Sequence, residues 1–215
     1  MSANTIVSIF GRKGSGKSSL ALEVMREHRR VVVLDYLGEY GTAQGFTVHE
    51  GLAASVKALS RWAGKPRFAL SLRVDEVFEA RALLEVAWEM RGYLLVLEEA
   101  SWLCSPSQLP RELSKFVRMG RHREISQLYV AQRPAMVHRD VTSQSDVIVS
   151  FQQHEARDIK FLEASTLGAQ AERVRTLPRF AIVAAAANGE DSTFPAAVRR
   201  RLAKSPKQKA VDTDR

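Results

Sequence analysis

The chain has little cysteine and no long hydrophobic run. Its 215 residues include one cysteine, Cys104, so no disulfide can form within the chain and we expect a reducing compartment. We interpret Cys104 as a small buried or half-buried hydrophobic residue. The longest apolar stretch, residues 181–187, is far too short to cross a bilayer, and the first residues lack a signal-peptide pattern. We therefore expect neither a disulfide scaffold nor a transmembrane segment.

Acidic residues are outnumbered by basic ones. The chain has 32 Lys and Arg against 24 Asp and Glu, a formal net charge of +8, which favours a polyanionic partner. Part of this excess lies in residues 196–215, which we predict to be a flexible basic tail following a single domain over residues 1–195. The tail is either an arm that contacts nucleic acid or a solubilising terminus. Its basic residues are Arg199, Arg200, Arg201, Lys204, Lys207 and Lys209.

Strand-like apolar runs alternate with helical segments along the chain. This alternation predicts an α/β fold with a mainly parallel sheet and helices on both faces. The predicted strands cover residues 5–10, 30–35, 67–72, 93–97, 125–131, 146–151 and a late strand at 180–183. The predicted helices cover residues 19–25, 52–63, a segment capped by Asp75 that ends at Arg91, 111–119 and 154–164.

A glycine-rich loop follows the first predicted strand. Residues 11–18 read G-R-K-G-S-G-K-S and fit the Walker A pattern G-x-x-x-x-G-K-[ST]. In that pattern backbone N–H groups hold the phosphates, Lys17 reaches the β- and γ-phosphates and the Ser18 hydroxyl binds Mg²⁺. The flanking strand and helix disfavour a chance match by a Gly/Ser turn. The predicted nucleotide-binding residues are Gly11, Arg12, Lys13, Gly14, Ser15, Gly16, Lys17, Ser18 and Ser19.

Two adjacent carboxylates end the predicted strand at 93–97. The run L-L-V-L-E-E at 94–99 is typical of a Walker B element, in which Glu98 would hold Mg²⁺ through water and Glu99 would deprotonate the attacking water. The usual first acid is aspartate, and a surface acidic pair is the alternative. A catalytic base favours hydrolysis over a kinase, which must exclude water. Gln132, after the strand at 125–131, fits a sensor of the γ-phosphate or equally a strand-end cap.

Further segments resemble the HerA/FtsK superfamily of DNA-pumping ATPases. D-Y-L-G-E-Y at 35–40 is similar to its D-x-x-G-E-Y element, and E-E-A-S at 98–101 resembles its D-E-A-H element. G-R-H-R-E-I-S at 120–126, continued by A-Q-R-P at 131–134, resembles its G-R-x-x-G-I … Q-R-P stretch. The chain departs from these patterns at Glu98, Ser101 and Glu124. The resemblance implies a RecA-like (ASCE) P-loop NTPase fold and makes Asp35 and Glu39 secondary site residues.

Within this superfamily the chain most resembles the minimal genome-packaging ATPases of tailless viruses with an internal membrane. The resemblance implies an ATP-hydrolysing translocase of double-stranded DNA that uses ATP and Mg²⁺. It also implies a homo-oligomeric ring, a hexamer or pentamer, which binds DNA without sequence preference. Capsid vertex proteins would be further partners, also for the basic tail. The implied location is the host cytoplasm or a capsid vertex of the virion.

Such a ring implies an arginine finger, which one subunit supplies to the γ-phosphate of its neighbour. Arg121 is the first candidate and Arg123 the second, with Arg118 nearby and Arg133 third; the alternative is a basic turn that contacts DNA phosphates. Residues 101–111 are a candidate pore loop.

Two other functions stay open. One is a nucleoside or nucleotide kinase with residues 118–123 as a basic lid, and the other is a phage assembly ATPase that does not act on DNA.

Overall fold

Strands rich in buried β-branched residues form the centre of the molecule. A computed structural model describes residues 4–205, in which eight strands form one sheet in the order β3-β4-β2-β5-β6-β1-β7-β8. All neighbouring strands are parallel except β7 and β8. The strands are β1 (Ile6–Phe10), β2 (Arg30–Asp35), β3 (Thr47–Glu50), β4 (Phe68–Arg73), β5 (Tyr93–Glu98), β6 (Ile125–Ala131), β7 (Val147–Ser150) and β8 (Val183–Ala186).

Helices cover both faces of this sheet. They are α1 (Lys17–Met25), α2 (Leu52–Trp62), α3 (Val77–Trp88), α4 (Arg111–Met119), α5 (Arg139–Ser143), α6 (Ala156–Glu163) and α7 (Ala196–Lys204). Alternate residues of a strand point to opposite faces, so Val32 packs into a core with α2, α3, α4 and α6. Val31 and Val33 pack into the other core, with α1 and α7. The expected architecture, a mainly parallel sheet with helices on both faces, is confirmed.

The parallel arrangement brings the ends of β1, β2, β5 and β6 to one edge of the sheet. Asp35 lies opposite Glu98 in the β2–β5 register, and Phe10 lies opposite Ala131 in the β1–β6 register. The N–H of Gly11 donates to the carbonyl of Ala131 at 3.3 Å. Residues that directly follow these strands therefore meet at the carboxyl edge, where open parallel sheets bind their ligands.

Several predicted elements differ from the observed ones. The late strand lies at Val183–Ala186 rather than 180–183, because Phe180 adopts a positive φ of 67° that no strand accommodates. Helix α3 begins at Val77 with Glu76 as its N-cap, so Asp75 is not the cap. Strand β3 was not predicted, since its residues are only half-buried or exposed and form no apolar run.

Residues 196–204, which the charge pattern placed in a flexible tail, form helix α7. Ala197 and Val198 are fully buried against the sheet and α1. The first two backbone N–H groups of α7 donate to the carboxylate of Glu27 at 3.0 and 2.6 Å, and Arg201 pairs with Glu23 at 3.0 Å. The sequence pattern did not predict this helix because its basic face outweighs a narrow apolar one.

The remainder of the predicted tail, including Lys207 and Lys209, lies outside the described residues. Within residues 4–205, no helix has both the length and the apolar character needed to cross a membrane.

Candidate nucleotide site

A cleft of about 630 Å³ opens at the carboxyl edge of the sheet. It collects residues from five separate stretches of the sequence, four of which lie at or just after the end of a strand. The cleft is lined, among others, by Lys17, Ser18, Glu39, Glu98, Glu99 and Gln132. The residues predicted to bind phosphate, to hold the metal and to activate water therefore share one cavity.

The glycine-rich loop connects β1 to α1 through backbone conformations that favour glycine. Gly14 and Gly16 have φ values of 73° and 101°. At Gly11 the constraint is close approach, since a Cβ there would lie 2.6 Å from both the Cβ of Phe151 and the Oγ of Ser15. The main cleft is lined by Lys13, Gly14, Gly16, Lys17, Ser18 and Ser19. Arg12 and Ser15 line an adjoining cavity, which Lys13 and Gly14 also border.

Helix α1 directs its first backbone N–H groups at this loop. Its N-cap is Gly16, which has no side chain to accept a hydrogen bond from them. The free N–H groups and the helix dipole favour an anion at this point. The Lys17 ammonium group donates to the carbonyl of Arg12 at 3.3 Å, which holds it across the loop.

Lys17 is 8% exposed. Burial lowers its pKa, and the negative charges of Glu98, Glu99 and Glu39 oppose that change. One cation beside three carboxylates leaves an excess of negative charge, which a divalent metal ion would offset.

Glu98 is 4% exposed at the end of β5. Burial raises the pKa of its carboxyl group to about 7, and the nearby charges of Glu39 and Asp35 act in the same direction. The hydroxyl of Tyr40 donates to Glu98 Oε2 at 2.7 Å, and this bond and Lys17 both lower the pKa. Ser18 and Glu98 face the same cleft with oxygen ligands, so the pair fits a Mg²⁺ site.

Asp35 organises the turn that follows β2. Its fully buried carboxylate accepts hydrogen bonds from the backbone N–H groups of Glu39 at 2.8 Å and Tyr40 at 3.0 Å, and from the hydroxyl of Ser71 at 2.8 Å. The turn presents Glu39 to the cleft and the Tyr40 hydroxyl to Glu98. Sequence reasoning quoted Tyr40 in a motif but did not identify it as a site residue, because its partner is distant in the chain.

Glu99 adopts a left-handed backbone conformation with a φ of 53°. Successive side chains of a strand point to opposite faces, so the chain must turn immediately after β5 for Glu98 and Glu99 to line the same cleft. The hydroxyl of Ser101 donates to Glu99 Oε1. A strained conformation at a charged residue is common at functional sites. Ser101, which departs from the family pattern, orients the carboxylate of Glu99.

Arg121 and Arg123 lie at the amino end of β6, away from the cleft. Seven residues of strand separate the two edges by about 20 Å. Arg123 donates to the carbonyl of Trp88 at 2.7 Å and lies over the Trp88 ring at 4.9 Å, so it packs the turn before β6 onto α3. Arg121 is exposed, and its side chain has no hydrogen bond or ion pair within residues 4–205. Neither arginine reaches the cleft of its own chain.

The other two arginine candidates are paired. Arg118 contacts Asp140 at 3.0 Å, and Arg133 contacts the fully buried Asp158 at 2.9 Å. Arg133 lies beside the site because it follows Gln132, whose side chain lines the cleft. Cys104 is fully buried, as the sequence predicted.

No protein-family model matches the chain, and no curated protein matches it. Solved structures do. The genome-packaging NTPase B204 of Sulfolobus turreted icosahedral virus 2, in complex with ATPγS, is 19% identical with a TM-score of 0.70, covering 88% of this chain and 96% of that one. The chain has a P-loop NTPase fold.

Two further structures share this P-loop NTPase fold. B204 of Sulfolobus turreted icosahedral virus, a DNA-packaging ATPase, is 20% identical with a TM-score of 0.66, covering 88% of this chain and 96% of that one. The pCW3 conjugation coupling protein TcpA with ATPγS is 15% identical with a TM-score of 0.52, covering 86% of this chain and 58% of that one. These neighbours confirm the RecA-like P-loop fold that the motifs implied.

Proposed function

We propose that this protein is an ATP-hydrolysing motor that moves double-stranded DNA into a viral capsid. The observation that carries the proposal is the cleft in which Lys17, Ser18, Glu98, Glu99 and Gln132 meet. Its motifs resemble those of DNA-pumping ATPases, and the fold is shared with a protein described as a genome-packaging NTPase. The implied location is the host cytoplasm or a capsid vertex.

The residues of the cleft divide the work of hydrolysis. The glycine-rich loop and the N-terminus of α1 would hold the phosphates, with Lys17 at the β- and γ-phosphates. Ser18, directly, and Glu98, through water, would hold Mg²⁺, which neutralises phosphate charge when bound.

The chemical step is attack by water on the γ-phosphorus. Glu99 would accept the proton of the attacking water, and Gln132 would orient that water or the γ-phosphate. The bond from the γ-phosphorus to the bridging oxygen breaks, and ADP and phosphate leave. A base aligned beside the phosphate loop favours this hydrolysis over transfer to a small acceptor.

The position of Arg121 supports catalysis between subunits. Because this exposed arginine lies at the edge opposite the cleft, it could reach a γ-phosphate only in a neighbouring copy. A ring of five or six copies would place each Arg121 near the next cleft and enclose a central channel. The net charge of +8 suits contact with DNA phosphates, which is independent of sequence. Within the candidate pore loop, Leu103, Cys104 and Pro110 are buried, whereas residues 106–108 and Arg111 are exposed and could meet DNA.

The test is ATP hydrolysis with and without duplex DNA, at low salt and over a range of protein concentrations. We expect duplex DNA to raise a rate that Lys17→Ala and Glu99→Gln abolish. The matched control is Asp191→Asn, which changes an exposed carboxylate that lies outside both the cleft and the Arg121 turn and should hydrolyse ATP normally.

Two results would contradict the motor. One is a Lys17-dependent rate that DNA does not change, with no DNA binding at low salt. The other is a phosphorylated nucleoside as product, detected by phosphorus NMR, which would indicate a kinase.

A further inference from the structure

We propose that the cavity between residues 178–180 and α7 is the subsite for the base of the bound nucleotide, with the ring of Phe180 stacked on that base. The inference rests on the proposed nucleotide site and adds a part of it that no motif marks. It also assigns the described part of the basic C-terminal region to the nucleotide rather than to DNA or capsid.

Phe180 is an aromatic residue in an unusual conformation beside the phosphate loop. Its φ is 67°, a value that bulky residues rarely adopt, and its side chain is 46% exposed. A Cβ added to Gly16 would lie 3.1 Å from the Cδ1 of Phe180, so the ring rests on the loop that would hold the phosphates. Residues with a strained backbone cluster at ligand clamps, and nearly half of the surface of Phe180 stays open to a ligand beside the loop.

The Phe180 ring already accepts a planar group. The guanidinium of Arg179 lies over it at 4.7 Å from the ring centroid. Arg179 is exposed and free to swing away, which would leave the ring face to a nucleobase. Nucleobases stack on aromatic side chains because every base has a π-face.

A cavity of about 410 Å³ adjoins this ring. It is lined, among others, by Glu23 of α1, Arg179, Phe180, Arg200 and Lys204. Phe180 lines this cavity and also the phosphate cleft, so the two spaces meet at the ring. The volume is within the usual range for small-molecule sites.

The spacing along α1 suits a nucleotide that spans both spaces. Ser19 lines the phosphate cleft and Glu23, one helical turn later, lines the second cavity. One turn advances about 5.4 Å, comparable with the length of a ribose between an α-phosphate and a base. A triphosphate held by residues 16–19 could therefore place its base at Phe180 without leaving the surface of α1.

The charges around the cavity do not oppose this ligand. Glu23 is paired with Arg201 at 3.0 Å, so its carboxylate is neutralised. Arg200 lies 3.9 Å from Glu27. Arg179 and Lys204 leave the cavity positive, which favours a polyanionic ligand at its entrance.

The experiment compares a ligand that has a base with one that lacks it. Mg²⁺ with AMPPCP, and Mg²⁺ with inorganic tripolyphosphate, are titrated calorimetrically into the full chain. The variants are Phe180→Gly, which removes the ring and suits the positive φ, and Phe180→Trp, which keeps an aromatic ring. Phe78→Ala is the matched control, because Phe78 is 65% exposed on α3 and lines neither cavity.

Alanine substitution of an aromatic that stacks on a base costs about 1–3 kcal/mol, which corresponds to roughly 5- to 150-fold in affinity. We expect Phe180→Gly to lower the affinity for AMPPCP by a factor in this range and to leave the affinity for tripolyphosphate unchanged. Phe180→Trp and Phe78→Ala should bind AMPPCP within about twofold of the parent chain, far less than the loss expected for a stacked base.

The proposed base subsite is wrong if Phe180→Gly binds AMPPCP as tightly as the parent chain does, or if its affinities for AMPPCP and tripolyphosphate fall by the same factor. If the parent chain binds neither ligand, the nucleotide site itself is wrong, and the two failures are thereby distinguished. Thermal unfolding of each variant checks that its fold is retained.

Discussion

Replacing Tyr40 with phenylalanine removes one hydroxyl from the buried hydrogen bond with Glu98. The ring of Tyr40 stays in place, since it is 1% exposed and packs against Phe46. The substitution therefore tests a single contact, the 2.7 Å bond from the hydroxyl to Glu98 Oε2. This contact joins the turn after β2 to the carboxylate that we assign to the metal.

The cost of this change depends on the charge of Glu98. A hydrogen bond to a charged group contributes about 1.5–3 kcal/mol, and a neutral one about 1 kcal/mol. We therefore expect Tyr40→Phe to lower the free energy of unfolding by about 2 kcal/mol where Glu98 is ionised and by about 1 kcal/mol where it is protonated. The difference of about 1 kcal/mol corresponds to a further rise of roughly 0.7 in the pKa of Glu98.

The direction with pH follows from proton binding. The pKa of Glu98 is about 7 in the folded chain, above its ordinary value of 4.5. Between these values the folded chain holds more protons on Glu98 than the unfolded chain, so the stability from this group falls as pH rises. In Tyr40→Phe this fall extends to higher pH, which makes the variant weakest under alkaline conditions.

The assay is urea unfolding of the nucleotide-free protein at about pH 5.5 and about pH 8.5, on either side of the raised pKa. The matched control is Tyr93→Phe, because the buried Tyr93 hydroxyl donates to the uncharged carbonyl of Ala87 at 2.8 Å. The control should lose the same stability at both pH values. An equal loss at both pH values for Tyr40→Phe would refute the charge-dependent bond to Glu98.

Three other variants test separate parts of the structure. Glu27→Ala should lower the free energy of unfolding by about 1–2 kcal/mol, measured in urea, since it removes two hydrogen bonds at the start of α7; an unchanged stability would mean that α7 is not held by this carboxylate. Gly11→Ala should lower the free energy of unfolding by about 1–3 kcal/mol through overpacking and should weaken nucleotide binding. Gly64→Ala, with no atom within 4 Å of the added Cβ, should leave both unchanged. Equal behaviour of the two variants would contradict the close approach at Gly11. Arg121→Ala should lose ATP hydrolysis in the assembled protein. Mixing it with Lys17→Ala subunits should restore part of the activity, because one variant keeps Lys17 and the other keeps Arg121. No recovery in the mixture would count against Arg121 as the arginine finger.

The elements predicted most accurately are those whose signal is local. The strands Arg30–Asp35 and Ile125–Ala131 and the helix Arg111–Met119 have the predicted bounds. In the two strands, β-branched and aliphatic residues follow one another without interruption, and a central parallel strand buries all of them. The motif around Lys17 was equally clear, because a phosphate loop is one continuous segment.

Elements that depend on distant neighbours were predicted poorly. Strand β3 is specified by its pairing with β4 rather than by its own residues. Helix α7 was not predicted because of its basic residues, although Val198 is fully buried against α1 and the sheet. The sequence placed Tyr40 in a motif but gave it no role, and only the structure shows that its hydroxyl donates a hydrogen bond to Glu98.

The sequence by itself determined the chemical groups of the site and their order along the chain, because short motifs encode turns, strand ends and a helix start locally. The tertiary structure decided which of these groups meet. Parallel register puts Asp35 beside Glu98, burial moves the pKa of Glu98 towards neutrality, and the length of β6 carries Arg121 to the opposite edge. These outcomes depend on burial and on contacts between residues far apart in the chain, which no local pattern specifies.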